Sequence, residues 1–308
     1  MRNPALLTVV GVELALAAVA GVVGCVWPRP GLGADYVAIA AVKDVEPGPA
    51  GVGRFTWSCG RNEEGHLNSA NIVVAPGIEG TAHHMHDYVG NLSTSAASTE
   101  ASLATSATTC RNGDQSTYFW PVLRTGAEGT GPEQFGRHGV IHTPSAVTLT
   151  FYGNPAGPVV AIPRFLRAVT GDAQAFTNGG ARARPAFTCG RAPDRRTAKY
   201  PICDRGDQLL RIYDFPSCWD GARLDSPDHR AHLSVPDRSG ACPRGRFAIP
   251  RLRITVAYDL PAGPPYLIDS FEDQRHSPIT DHALLVYLLP DELTAQVVEC
   301  LNAGRTCS

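Results

Sequence analysis

A mainly β fold, either a disulfide-stapled sandwich or a distorted jelly roll with a few short helices, is what three features of this chain predict. Thirty-one glycines and twenty-five prolines in 308 residues call for frequent turns. The apolar residues fall in short alternating or β-branched runs bounded by those turn formers. Nine cysteines are present: Cys25 near the start, and Cys59, Cys110, Cys189, Cys203, Cys218, Cys242, Cys300 and Cys307 in the body. An even number in the body of an exported chain reads as a disulfide framework, and no Cys-x-x-Cys pair offers a zinc ribbon instead. Near neighbours are expected to pair: Cys59 with Cys110, Cys189 with Cys203, Cys218 with Cys242, and Cys300 with Cys307. The short helices leave an α+β description open.

The elements follow in order. Ala5 to Val26 is apolar apart from Thr8 and Glu13 and is preceded by Arg2. At roughly −0.3 to −0.6 kcal/mol for each leucine or valine, this span outweighs the roughly +3 of a central acidic residue. It is expected to be a transmembrane anchor or a signal segment, and Val22-Val-Gly-Cys25 also resembles a lipoprotein box. Residues 27–53, rich in proline, glycine and alanine, read as a linker, and 54–308 as a single extracytoplasmic domain. Arg54 to Cys59 has strand character, and so does Ile72 to Val74 before the turn Pro76-Gly77. Ser93 to Thr109 is a Ser/Thr/Ala tract that could be a helix or a loop walling a polar cleft. Val147 to Tyr152 and Val159 to Ile162 are β-rich, Pro163 to Gly171 reads as a short helix, and Ala181 to Tyr200 as a solvated basic loop. Arg251 to Tyr258 alternates, with Leu252, Ile254, Val256 and Tyr258 on one face, so one side is buried and the other wet. Tyr266 to Ser270 is another strand, and Asp291 to Cys300 a helix with Glu292 in its first turn.

The formal charge of −2 gives no reason to expect nucleic acid or an anionic surface as a partner. The chemistry-bearing residues gather in three stretches. Thr81 to Asn91 holds His83, His84, His86 and Asp87. In an extended backbone His84 and His86 share a face while His83 and Asp87 point elsewhere, and two imidazoles on one face can hold a metal or relay a proton. The bland alternative is a polar loop bonded to backbone. Asp114 to Arg124 sets Tyr118 and Trp120 on one face, as a core pair or as a platform for a sugar ring. Asp214 to His232 packs Asp220, Asp225, Asp228, His229 and His232 between turn formers, with Cys218 to pin the loop, although such aspartates also cap turns.

These motifs carry a resemblance. The His-x-His-Asp-Tyr-Val-Gly-Asn run, Asp114 through Leu123 with its Tyr-x-Trp-Pro core, Cys218-Trp-Asp-Gly with Asp225 and His229-x-x-His232, and the closing Asn302-Ala-Gly-Arg resemble a secreted bacterial and fungal family, domain of unknown function nineteen-ninety-six. The likeness runs from roughly Arg54 to Ser308 and implies export, often with cell-wall association; it implies no particular reaction. The family's histidine elements fall here on His84 and His86, on His229 and His232, and on Asp281 with His282. The last pair departs in order from the His-x-Asp of fungal members.

Three functions are open. An extracytoplasmic, membrane-anchored or secreted enzyme could act on a cell-wall or environmental polysaccharide as a hydrolase or lyase, with His84, His86, Asp87, Asp114, Asp220, His229 and His232 as catalytic candidates. Tyr88, Tyr118, Trp120 and Trp219 would then bind substrate. A carboxylate route would use Asp87 and Asp220 across the scissile bond, whereas a metal route would bind a divalent ion through His84, His86 and His232. The His-x-His-Asp run falls short of the metallo-β-lactamase pattern His-x-His-x-Asp-His, because Tyr88 stands where its aspartate belongs. The other two functions are a non-catalytic module binding glycan or metal, and a structural surface protein. No nucleophile elbow, phosphate loop or dinucleotide fingerprint is present.

Overall fold

The computed structural model describes residues 33–45, 52–78, 84–126, 139–261 and 265–308. The expected anchor or signal, Cys25 and His83 lie outside the described residues.

Two antiparallel sheets dominate. The larger has seven strands in the order Ala192–Thr197, Phe187–Cys189, Leu209–Asp214, Arg251–Tyr258, Ala146–Tyr152, Arg54–Trp57 and Thr306–Cys307, with only the last pair parallel. The smaller has five, in the order Leu67–Asn68, His86–Gly90, Thr117–Pro121, His282–Val286 and Arg167–Gly171. The period-two alternation of Arg251–Tyr258 is observed, with Leu252, Ile254, Val256 and Tyr258 buried against the second sheet's Tyr118, Trp120, Ala283 and Leu285 in one shared core. Each such aliphatic or aromatic side chain contributes roughly 1.5–3 kcal/mol on burial. The other face of the five-stranded sheet carries Tyr88, Phe119, Val169, Leu284 and Val286, covered by Ile72, Val73 and Leu103 in a second core.

Three small sheets complete the described residues: Leu233–Ser234 with Cys218–Trp219 and Phe247–Ala248; Tyr266–Ile268 with Leu123–Thr125 and Val140–His142; and a parallel pair of Tyr36–Ala38 with Tyr200–Ile202. That last pair corrects the linker boundary. Tyr36 packs on Tyr200 and donates its hydroxyl to the Tyr266 carbonyl, so part of the Pro/Gly-rich stretch belongs to the folded body. All four cysteine pairings are as expected.

Other expectations change for local reasons. Ile72 to Val74 is a turn rather than a strand, because the Asn71 side chain accepts from the backbone N–H groups of Val73 and Val74. The helix expected over Pro163 to Gly171 is the edge strand Arg167–Gly171, and Ala181 to Tyr200 carries two strands where a loop was expected. Within the Ser/Thr tract, Glu100–Ala104 is helical, started by Thr99 and Ser102 in a reciprocal capping box. The C-terminal helix Asp291–Asn302 buries Val297, Cys300 and Leu301 on one face.

Candidate functional site

Strand alternation decides which side chains meet. His86 and Asp87 are neighbours and point to opposite faces of the five-stranded sheet, as do Asp281 and His282. Tyr88 pairs with Phe119, and Leu284 with Phe119 and Val169. Two residues before Tyr88 and Leu284, His86 and His282 therefore stand on that same outer face, with the small ring of Pro121 between their strands. His84 arrives one alternation ahead of His86. Ring centroids are 4.6 Å apart for His84 and His86, 5.3 Å for His84 and His282, and 5.8 Å for His86 and His282. One nitrogen of each imidazole falls within a common 4.8 Å.

The protonation pattern suits a metal. His282 Nδ1 lies 2.8 Å from the Thr280 carbonyl oxygen, which can only accept, so Nδ1 donates and Nε2 keeps its lone pair. That Nε2 is 3.4 Å from His84 Nε2. Two nitrogens bound to one tetrahedral zinc at about 2.0–2.1 Å stand about 3.3 Å apart, so the spacing already matches a shared ion. His86 is 0% exposed, and among the described residues its ring nitrogens meet no full hydrogen-bond partner beyond a weak approach to the Ala70 backbone. Burial, reinforced by His282, holds His86 well below the usual imidazole range, and burial lowers His282 too. Both are neutral at neutral pH, the form a metal requires.

Two buried ion pairs hold these histidines in place. Asp281, on the inner face, meets Arg211 of the seven-stranded sheet through Nη2–Oδ1 at 2.6 Å and Nε–Oδ2 at 3.2 Å, and its Oδ1 accepts from the backbone N–H of His282. Asp269 meets Arg124 at 2.6 Å and 3.1 Å and accepts from the backbone N–H of Met85, between His84 and His86. Opposite His282 stands Gly171 at φ +76°, where a Cβ would fall 2.1 Å from the Asp281 carbonyl oxygen; only glycine lets the two strands close there.

His84 and His282 open onto a cavity of about 290 Å³, whose wall includes Phe271, Val169, Asn71, Asp172 and Arg230. Asp172 brings a carboxylate, its Oδ1 accepting from the Gln174 N–H and Oδ2 from the Asn178 side chain. Arg230 donates to the Gly171 carbonyl at 2.7 Å. It also lines a second cavity of about 320 Å³, where His229 lies.

The remaining candidates are placed elsewhere. His232 is not a metal ligand: its Nε2 donates to the Arg167 carbonyl at 2.7 Å and its Nδ1 is 2.9 Å from Ser226 Oγ. His229 pairs with Asp225 at 2.9 Å. Asp87 is buried on the inner face, bonded to Asn62, its pKa pushed up to about 6 by burial. Asp220 closes a turn and pairs with Arg223 at 2.7 Å, so the two acids have separate surroundings and form no carboxylate pair. Asp114 is fully buried, taking hydrogen bonds from Trp57, Ser116 and Tyr118, with burial raising its pKa. It lies close to Cys59 and Cys110, but their sulfurs form a disulfide and cannot ligate as thiolates. Tyr118 and Trp120 are 0% exposed and Tyr88 is stacked on Phe119 in the second core, so none is a sugar platform. Trp219 is half-buried and donates to the Arg223 carbonyl.

A disulfide-stapled, mainly β domain with a buried three-histidine cluster at the floor of a cavity is the class that fold and site define. The chain belongs to a family described as a domain of unknown function (DUF1996), whose model matches residues 72–278. No curated protein and no solved structure matches it. His282 lies just beyond the matched residues. Its signal in the sequence was the Asp281-His282 pair, and the same alternation that separates His86 from Asp87 would have pointed to it. Arg211, Asp269, Arg124 and Asp172 carried no sequence signal, since each matters only through a partner far along the chain.

Proposed function

We propose that this protein is an extracytoplasmic, carbohydrate-active hydrolase or lyase whose site is a divalent-metal centre formed by His84, His86 and His282. The observation that carries the reading is the 3.4 Å approach of His84 Nε2 and His282 Nε2 at a cavity floor, beside a fully buried His86. Three protein ligands with a position left for solvent is the arrangement of catalytic zinc sites, and a bound ion would supply Lewis acidity and a water of lowered pKa. The chain's own residues do the rest. Phe271 and Val169 give the wall apolar surface, Arg230 would donate to a substrate oxygen, and Asp172 is the carboxylate that the wall offers among the described residues. Four disulfides favour an oxidising compartment outside the cytoplasmic membrane, in keeping with the apolar N-terminal stretch as anchor or signal.

Both carboxylate oxygens of Asp172 are already engaged, and this favours a second reading, a glycan-binding module that turns nothing over. Incubating the metal-loaded protein with a panel of wall and environmental polysaccharides separates the two. New reducing ends or unsaturated products from wild type and none from His282→Ala are expected. Binding without product from either would leave the module.

A further inference from the structure

The second cavity has a charge composition that its neighbours do not balance. Arg182, Arg184, Arg230 and Arg251 line it, and Asp214 is its only carboxylate among the described residues. Asp214 is already engaged: Arg251 donates to it at 2.6 Å, Arg253 forks onto it at 2.9 Å and 2.8 Å, and Arg196 stands 4.0 Å away. Arg196 is partly buried, and its Nε is buried without a hydrogen-bond partner among the described residues. Among the described residues, Arg182 has a loose contact to Asp228 at 3.6 Å, and Arg184 bonds to the Ala183 carbonyl. Arg230 is half-buried and feels the carboxylates of Asp172 and Asp228. Four guanidiniums thus line the cavity beside one carboxylate, which Arg253 and Arg196 also approach from outside the lining. Burial and the crowding of neighbouring guanidiniums lower both Arg196 and Arg230, the sign of cations pressed together. An oxyanion between them would relieve that repulsion, and guanidinium geometry suits a forked hydrogen bond to such a group.

The two cavities share a wall, since Arg230 and Val169 line both. We propose that the arginine-lined cavity is an anion subsite, receiving the carboxylate or sulfate of an acidic polysaccharide whose adjoining ring lies over the histidine centre. This inference rests on the glycan reading above and narrows it to acidic chains.

Binding can be read without turnover. The full chain is titrated calorimetrically with oligogalacturonate, with a sulfated dextran oligomer and with a neutral dextran oligomer of equal length, at roughly 50 and 500 mM salt. Acidic oligomers are expected to bind at least about tenfold tighter than the neutral one and to weaken at high salt. The preferred acidic oligomer identifies which group is recognised. Arg182→Ala with Arg184→Ala, both exposed and tied only by surface contacts among the described residues, should lose about tenfold for the acidic oligomers and leave the neutral one unchanged. Arg230→Gln, which lines both cavities, should also weaken the acidic oligomers. Equal binding of neutral and acidic oligomers, or acidic binding untouched in both variants, overturns the subsite. Acidic binding with no product overturns the enzyme reading alone, while turnover of a neutral glycan with no anion preference overturns the subsite alone.

Discussion

Arg211→Met tests whether the ion pair beneath the histidines is structural in the way the geometry implies. Arg211 is fully buried and makes two contacts to Asp281, one to the Pro121 carbonyl and one to the Tyr258 hydroxyl. Methionine fills comparable space but leaves the Asp281 carboxylate in the core with only the Tyr213 hydroxyl and the His282 N–H beside it. Removing one partner of a buried pair costs roughly 3–5 kcal/mol, because the surviving charge has neither water nor counter-ion. The Pro121 carbonyl, orphaned at the same time, adds about 1 kcal/mol. For a domain of this size that is a loss of on the order of 10 °C in melting temperature. Calorimetry of wild type, Arg211→Met and Arg211→Met with Asp281→Asn gives the comparison. The double variant should recover most of the loss, since it removes the uncompensated charge. A single-variant loss below about 1 kcal/mol, or a double variant no more stable than the single, would refute the reasoning.

The pH dependence has a definite sign. His86 and His282 have folded-state values depressed below the usual imidazole value of about 6.5, so the unfolded chain takes up protons first as pH falls and the metal-free protein loses stability below that point. Urea midpoints from pH 8 to pH 5 should fall accordingly, and His86→Leu should flatten the slope; an equal slope in the variant argues against it. Removing Cys59–Cys110, which closes a separation of 51 residues, should cost about 4 kcal/mol, against about 2 kcal/mol for Cys300–Cys307 with its separation of 7. Paired Cys→Ala variants compared by denaturant titration would show the reverse order if native strain, not loop length, governed. Thr99→Ala should weaken the Glu100–Ala104 helix by about 1 kcal/mol through loss of its cap, seen as faster amide exchange at Ser102 and Leu103.

What could be read from the sequence was local. The Arg251–Tyr258 strand, the C-terminal helix and the shared face of His84 and His86 follow from side-chain periodicity, and the four disulfides join near neighbours along the chain. His282 was visible through the family resemblance, and its meeting with His86 did not follow, because the two come together through the register of strands far apart in sequence. His232 misled for the opposite reason: its acid-rich surroundings look like a site, yet Ser226 and the Arg167 carbonyl occupy both its nitrogens. Tyr118 and Trp120 show a further limit, since two aromatics on one strand face read alike as a sugar platform or as core until the opposing sheet is in view.

The most direct test of the central claim is metal stoichiometry. Purified protein should carry about one divalent ion per chain after dialysis, or take it up with a single-site isotherm, as expected for a three-histidine centre. His86→Ala and His282→Ala should each lose that ion, while His232→Ala keeps it. An ion retained without His282, an ion lost with His232, or a wild-type chain that binds none would contradict the account.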